Sequence, residues 1–252
     1  MRRLGPLGPI VICGLAAAVL AGPAQARPLN LRDLLGHHPQ SDMAESTGPA
    51  VGVYAPDRGD RFVFDRSVNP PLMRFESSSE IWVLQPQPGP RGDTIYKDDV
   101  GQPMLRATRL GGLTLFTNDD PEGAAAALEG EASAVKPQAI TTLFVLQQRL
   151  AQASYRASRA VQRLVVFEAP DVTPDSATII GDAGQVAAEA IVVAAKRTDL
   201  KHFMDKLEKV VLSPARKPAA KYKDGVLEVD LATGLGLSGR PSSHKIEAAF
   251  AH

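Results

Sequence analysis

Apolar residues alternate with polar ones in short runs from Ala50 to Thr117, and each run is stopped by Gly, Pro, Asn or Asp. From residue 139 onward they recur every three or four positions instead. A strand with one buried face needs a period of two, and a helix needs 3.6. One chain therefore carries strands first and helices afterwards. That segregated order excludes a doubly wound parallel sheet and specifies an α+β fold. Val51, Val53 and Ala55 alternate with Gly52 and Tyr54, and Phe62 and Phe64 follow the turn Asp57 to Asp60. Leu72 to Phe75, Ile81 to Leu84, Thr94 to Tyr96, Met104 to Arg109 and Leu113 to Thr117 complete about seven short strands. The spacing predicts an antiparallel meander curled into a barrel or sandwich.

Residues 118–138, rich in Ala, Gly, Asp and Glu, read as a linker with a short helix over Glu122 to Leu128. Ile140, Leu143, Phe144, Leu150, Ala153, Ala157 and Val161 then predict a long amphipathic helix over 138–162. Val165-Val166-Phe167 before Pro170 reads as a strand. A second helix is expected over 183–196, with Asp182 and Gln185 as its capping box, and a third capped by Asp199. Asp224-Gly225 between Lys223 and Val226 is a two-residue hairpin turn, with Leu227, Val229 and Leu231 facing the core. Ser243 is expected to cap a terminal helix with Ile246, Ala249 and Phe250 inward.

The N-terminus addresses the chain. Arg2 and Arg3 precede an apolar run from Ile10 to Ala21, Pro23 breaks it, and Ala24-Gln25-Ala26 is a small-x-small cleavage signal. Cleavage between Ala26 and Arg27 is expected. Residues 1–26 are then a signal peptide, 27–49 a loosely held segment, 50–117 the antiparallel β region, 118–138 the linker and 139–252 the α+β region. The only cysteine, Cys13, lies inside the leader. A mature chain without cysteine has no disulfide, thiol nucleophile or thiolate metal site. Acidic and basic residues number 28 each, two of the basic ones being Arg2 and Arg3, and both signs are interspersed. No basic stripe interleaves with aromatics, so nucleic acid is not an expected partner. No run after the leader approaches the ~20 residues of a membrane span. The expected location is the periplasm or the exterior.

Ile81-Trp82-Val83-Leu84, the run Pro88 to Tyr96, the run Arg109 to Phe116 and Gly239-Arg240-Pro241-Ser242-Ser243 together resemble a bacterial domain of unknown function. Its members are exported alphaproteobacterial proteins of about this length. The resemblance covers most of the mature chain. It implies export and an α+β architecture, and it carries over no activity, ligand, cofactor or catalytic residue.

Candidate chemistry is sparse. Ser242-Ser243-His244-Lys245 holds a Ser-x-x-Lys, which on a helix brings an amine one turn from a hydroxyl. The motifs that accompany it in penicillin-binding proteins are absent, and a helix cap explains the serine equally. His202 and His244 could serve a Ser-His-Asp triad, but no Gly-x-Ser-x-Gly elbow marks a nucleophile. His37-His38 are adjacent, and Asp57, Asp60 and Asp65, or Asn118, Asp119 and Asp120, follow no calcium-loop spacing. Arg58-Gly59-Asp60 and Arg91-Gly92-Asp93 read as turns. No catalytic, cofactor or metal residue is assigned. Trp82 is expected in the core. The function expected is non-catalytic binding of a small apolar ligand or an envelope protein; the alternative is a hydrolase with a Ser/His or Ser/Lys site at Ser242, Ser243 or His244.

Overall fold

Nine antiparallel strands form one sheet: β1 (Gly52–Pro56), β2 (Phe62–Asp65), β3 (Leu72–Phe75), β4 (Trp82–Val83), β5 (Gln85–Pro88), β6 (Thr94–Lys97), β7 (Pro103–Ala107), β8 (Leu113–Leu115) and β9 (Ala124–Gly130). The order is β4-β3-β2-β1-β9-β8-β7-β6-β5. The two edge strands, β4 and β5, are consecutive in the chain and separated only by Leu84. One continuous stretch of chain thus pairs with β3 through β4 and with β6 through β5, and carries the sheet round into a near-barrel. This is a computed structural model, and it describes residues 48–251. The expected signal peptide (residues 1–26), the expected Ala26–Arg27 cleavage, Cys13 and His37-His38 lie outside the described residues.

The register sorts the side chains. Tyr54 opposes Phe62, Phe64 opposes Met73, Met73 opposes Trp82, and Tyr96 opposes Leu105. With Leu84, Ala107, Leu113 and Leu115 they form one buried cluster inside the barrel. Tyr54 stacks on Phe62 at 5.6 Å, and Phe64 meets Tyr96 edge-on at 5.1 Å. The interior is packed with side chains, Trp82 among them. The outer faces of β1 to β4 carry a second apolar set. Val63, Leu72 and Ile81 are covered there by Val135, with Val53 and Val83 partly buried against them. The two-residue alternation thus buries both faces of this half of the sheet.

Residues 124–130 are a strand, where the sequence predicts a linker with a short helix. Ala-rich sequence favours a helix, but β1 and β8 each leave an edge that only this segment closes. Ala124 and Ala126 suit the position, since they face an interior already filled by aromatic rings. Tertiary pairing overrides propensity here.

The second half comprises α1 (Leu143–Val161), β10 (Val166–Glu168), α2 (Ala177–Ala194), α3 (Lys201–Met204), β11 (Lys209–Pro214), β12 (Ala219–Lys223), β13 (Val226–Leu231) and α4 (Ser243–Ala248). Its sheet runs β10-β11-β13-β12, with only β12 antiparallel to its neighbour. Asp224 and Gly225 both have positive φ, as the β12–β13 hairpin requires, and Leu227, Val229 and Leu231 are fully buried. Thr142 caps α1, which starts later than expected and leaves Leu143 and Phe144 exposed. Leu146, Ala153 and Ala157 make its inner face.

α2 begins six residues earlier than the periodicity suggests. Gly181 and Gly184 are contact points with the residues around α1. A Cβ on Gly181 would lie 2.2 Å from the Ile140 side chain, and one on Gly184 2.8 Å from Leu150. Asp182 and Gln185 therefore sit inside α2 and cap nothing. Asp199 likewise pairs with Arg197 in a 3-10 turn rather than capping α3. The composition of α2 is that of a membrane span, yet 67% of it is buried within the protein, as in a core helix.

Asp65 fixes the covering segment to the barrel. It is fully buried and accepts from the Val135 amide at 2.9 Å, and from the Ser67 amide and hydroxyl at 2.9 and 2.6 Å. Burial pushes its carboxyl up, but the three hydrogen bonds outweigh this and hold it below its ordinary value. We expect Asp65→Ala to strand the Val135 amide and to lower stability by about 1–3 kcal/mol in urea unfolding. No change in the unfolding midpoint would show that this contact does not hold the segment.

Candidate functional site

The residues singled out by sequence at the C-terminus converge on one end of the barrel. In a meander, alternate turns share an end. The β3–β4 connection (residues 76–81) and the β6–β7 turn (98–102) therefore lie together, and the start of α4 docks on them. Ser242, Ser243 and His244 each engage a different carboxylate. Ser242 donates its amide (3.1 Å) and its hydroxyl to Asp99. Ser243 donates its amide to Glu80 at 2.9 Å. His244 Nδ1 lies 2.7 Å from Asp98 Oδ2, and its ring packs on Trp82 at 4.6 Å.

Arg240 secures the same junction from within. Its guanidinium is 2% exposed. It bonds Asp182 of α2, donates to the Ile81 carbonyl at 2.6 Å and lies 3.8 Å from Glu80. A buried guanidinium is tolerated only with acceptors on several of its N–H groups, and here they come from both halves of the protein.

The helix cap is Ser242, not Ser243: its Oγ accepts from the Lys245 amide at 3.1 Å. The expectation was off by one residue because both serines satisfy the same local rule, and Asp99 selects between them. Lys245 Nζ sits 4.0 Å from Asp99, so the amine of the Ser-x-x-Lys faces a carboxylate. The Ser242 hydroxyl donates to Asp99 rather than to the His244 ring or the Lys245 amine. The Asp98–His244 pair has the geometry of the orienting half of a triad, without a serine on it.

Burial sets the protonation of this cluster. It pushes the Glu80 carboxyl up, with Arg240, Ser243 and His244 pulling the other way. Burial also raises Glu247, against the pull of His244 and Arg197. His244 is opposed by its own burial, but the Asp98 hydrogen bond and the charges of Asp98, Glu247 and Glu80 raise it overall.

The other candidates fall elsewhere. His202 is exposed and lies against Phe203 at 3.9 Å. Both Arg-Gly-Asp tripeptides are turns: Asp60 accepts from the Ser77 hydroxyl, and Asp93 is buried and bonded to Arg106 at 2.7 Å. Asp120 pairs with Arg58 at 3.0 Å. Among the described residues no three His, Asp or Glu side chains converge as a metal ion requires. Glu80, Asp98, Asp99 and Arg240 were not foreseen as partners, because nothing local marks an acid that waits for a residue some 150 positions away. On the outer barrel wall, Ile95, Pro103, Phe116 and Pro121 line an apolar recess of about 450 Å³ bordered by Arg106 and Asn118.

The chain belongs to the family described as a domain of unknown function, DUF4908, whose model matches residues 30–250. No curated protein and no solved structure matches it.

Two outcomes follow from the buried cluster. Arg240→Met leaves Asp182 and Glu80 without their cation, and we expect a loss of about 3–5 kcal/mol in chemical denaturation; a loss below about 1 kcal/mol would remove Arg240 from this role. For His244, a raised folded value means that its stabilisation is complete below about pH 6.5, the ordinary imidazole value, and fades as pH rises through the folded one. The raised carboxyls of Glu80 and Glu247 act in the same direction at lower pH. The melting temperature is therefore expected to be higher at pH 6 than at pH 8.5, with His244→Gln flattening that slope. An unchanged slope in the variant would assign it to other groups.

Proposed function

We propose that this member of the DUF4908 family is an exported, non-catalytic binding protein of the cell envelope. One observation carries the reading. Of the residues best suited to catalysis, Ser242 and His244 have their side chains bonded to Asp99 and Asp98, and Ser243 gives its amide to Glu80, so that all three hold the two halves of the protein together. A nucleophile needs a base in hydrogen-bond reach, and an acid acceptor does not supply the triad arrangement. Binding then falls to the surface, because the barrel interior is filled. The apolar recess at Ile95 and Phe116 fits a small apolar ligand in size and lining. Export is supported by the basic start, the apolar run and the Ala24-Gln25-Ala26 signal.

The hydrolase alternative keeps one supporting observation, the Asp98–His244 pair at 2.7 Å. Native mass spectrometry of the protein purified from the envelope fraction of its own cells tests the reading. A chain starting at Arg27 with a reproducible small adduct is expected, and Phe116→Asp should remove the adduct. A bare chain that turns over ester or amide substrates, with the activity lost in His244→Ala, would replace binding by catalysis. Recovery in the cytoplasmic fraction with Met1 retained would overturn export.

A further inference from the structure

A second recess lies where α1 and α2 meet the barrel, and it shares no residue with the apolar one. Its volume is about 90 Å³, roughly three water molecules at ~30 Å³ each. Three cations line it: Arg74 from β3, Lys136 from the covering segment and Arg149 from α1. They come from distant parts of the sequence, so their convergence is made by the fold. No carboxylate among the described residues pairs with any of them. Seven arginines elsewhere, Arg58, Arg61, Arg106, Arg156, Arg163, Arg197 and Arg240, each meet an Asp or Glu.

The one acid lining the cleft is Asp182, and its charge is taken by the buried Arg240. Gln185 cannot reorient freely, since its amide already donates to the Arg149 carbonyl at 2.8 Å. That bond fixes the backbone of α1 from which the Arg149 side chain reaches the cleft. Ser79 adds a hydroxyl donor at the rim. Like charges gathered around a small cleft repel one another unless an anion joins them. Guanidinium groups with a lysine and a hydroxyl are the donor set that recognises a tetrahedral oxyanion.

We propose that this cleft binds a phosphate group, either free inorganic phosphate or the head of a larger molecule. Arg149, the half-buried cation, provides the fixed forked contact. Arg74 and Lys136, both exposed, close over the anion from the barrel side. A substituent on the phosphate would project through the open mouth into solvent.

Calorimetric titration of the full mature protein with sodium phosphate at low ionic strength is the test. Saturable binding is expected. The Lys136→Gln/Arg149→Gln double variant should bind at least tenfold more weakly, while Lys217→Gln, a change at an exposed cation outside the cleft, binds as the wild type. The melting temperature separates a ligand site from a structural cluster. Phosphate should raise it in the wild type and not in the double variant. Without phosphate the double variant should melt no lower than the wild type, because repulsion has been removed. The source of the phosphate is read from phosphatidylcholine vesicles with and without phosphatidic acid. Retention on the acidic vesicles, displaced by free phosphate, assigns the lipid headgroup; saturable phosphate binding without retention assigns the free ion. The absence of saturable binding in both arms would overturn the proposal, as would equal weakening by Lys217→Gln. A His244-dependent turnover with phosphate binding intact would overturn the binding reading of the previous section and leave this one standing.

Discussion

The structure depends on one buried cation. Arg240 stands between the barrel and the helices and touches Asp182, the Ile81 carbonyl and Glu80. Desolvating a guanidinium is costly, and the cost is recovered only if all three acceptors hold their places at once. That condition couples the β3–β4 connection to α2. It also fixes the backbone that enters α4, so that Ser242, Ser243 and His244 arrive one after another at Asp99, Glu80 and Asp98. A short helix of six residues could not hold such a position by its own propensity. It is held by charge and hydrogen bonds at its start and by Ile246 and Phe250, fully buried, along its length.

The barrel has its own constraint. Because β4 continues into β5 through Leu84, the strand that ends one side of the sheet begins the other. Closure leaves a narrow interior, and Tyr54, Phe62, Phe64, Trp82 and Tyr96 fill it. A narrow barrel packed with aromatic rings is a rigid support rather than a container. Function is thereby displaced to the outside of the barrel and to its junction with the helices. Both recesses described above lie in those places.

Much of this was legible in the sequence, and the parts that were not share a cause. The change of period at about residue 139 specified the α+β class and the order of the halves. Asp224-Gly225 specified the hairpin, because positive φ at two successive positions is a strictly local demand. Local rules failed where a residue serves a distant partner. Asp182 and Gln185 look like a capping box, but Asp182 serves Arg240 and Gln185 serves α1. The start of α2 was missed too: Gly181 and Gly184 let the neighbouring side chains approach, a role that only the packed structure shows. Residues 124–130 look helical, but two strand edges needed a partner. The carboxylates of the α4 dock were invisible for the same reason, since an acid in a turn carries no mark of what will reach it.

That distinction bears on which features of the molecule are built for folding alone. The buried or half-buried ionisable groups at the dock come as matched sets: Glu80 has Arg240 and Ser243, Asp98 has His244, and Glu247 has Arg197 at 3.9 Å. Matching of this kind is what a fold requires of charge taken out of water, and it argues for a structural task. The cleft at Arg149 departs from it. Three cations converge there on a space large enough for an oxyanion, and the only lining acid is already neutralised. A fold gains no stability from that arrangement, since repulsion among the three works against it. An arrangement that folding opposes, beside a dock whose buried charges are matched, is better explained by a ligand than by packing.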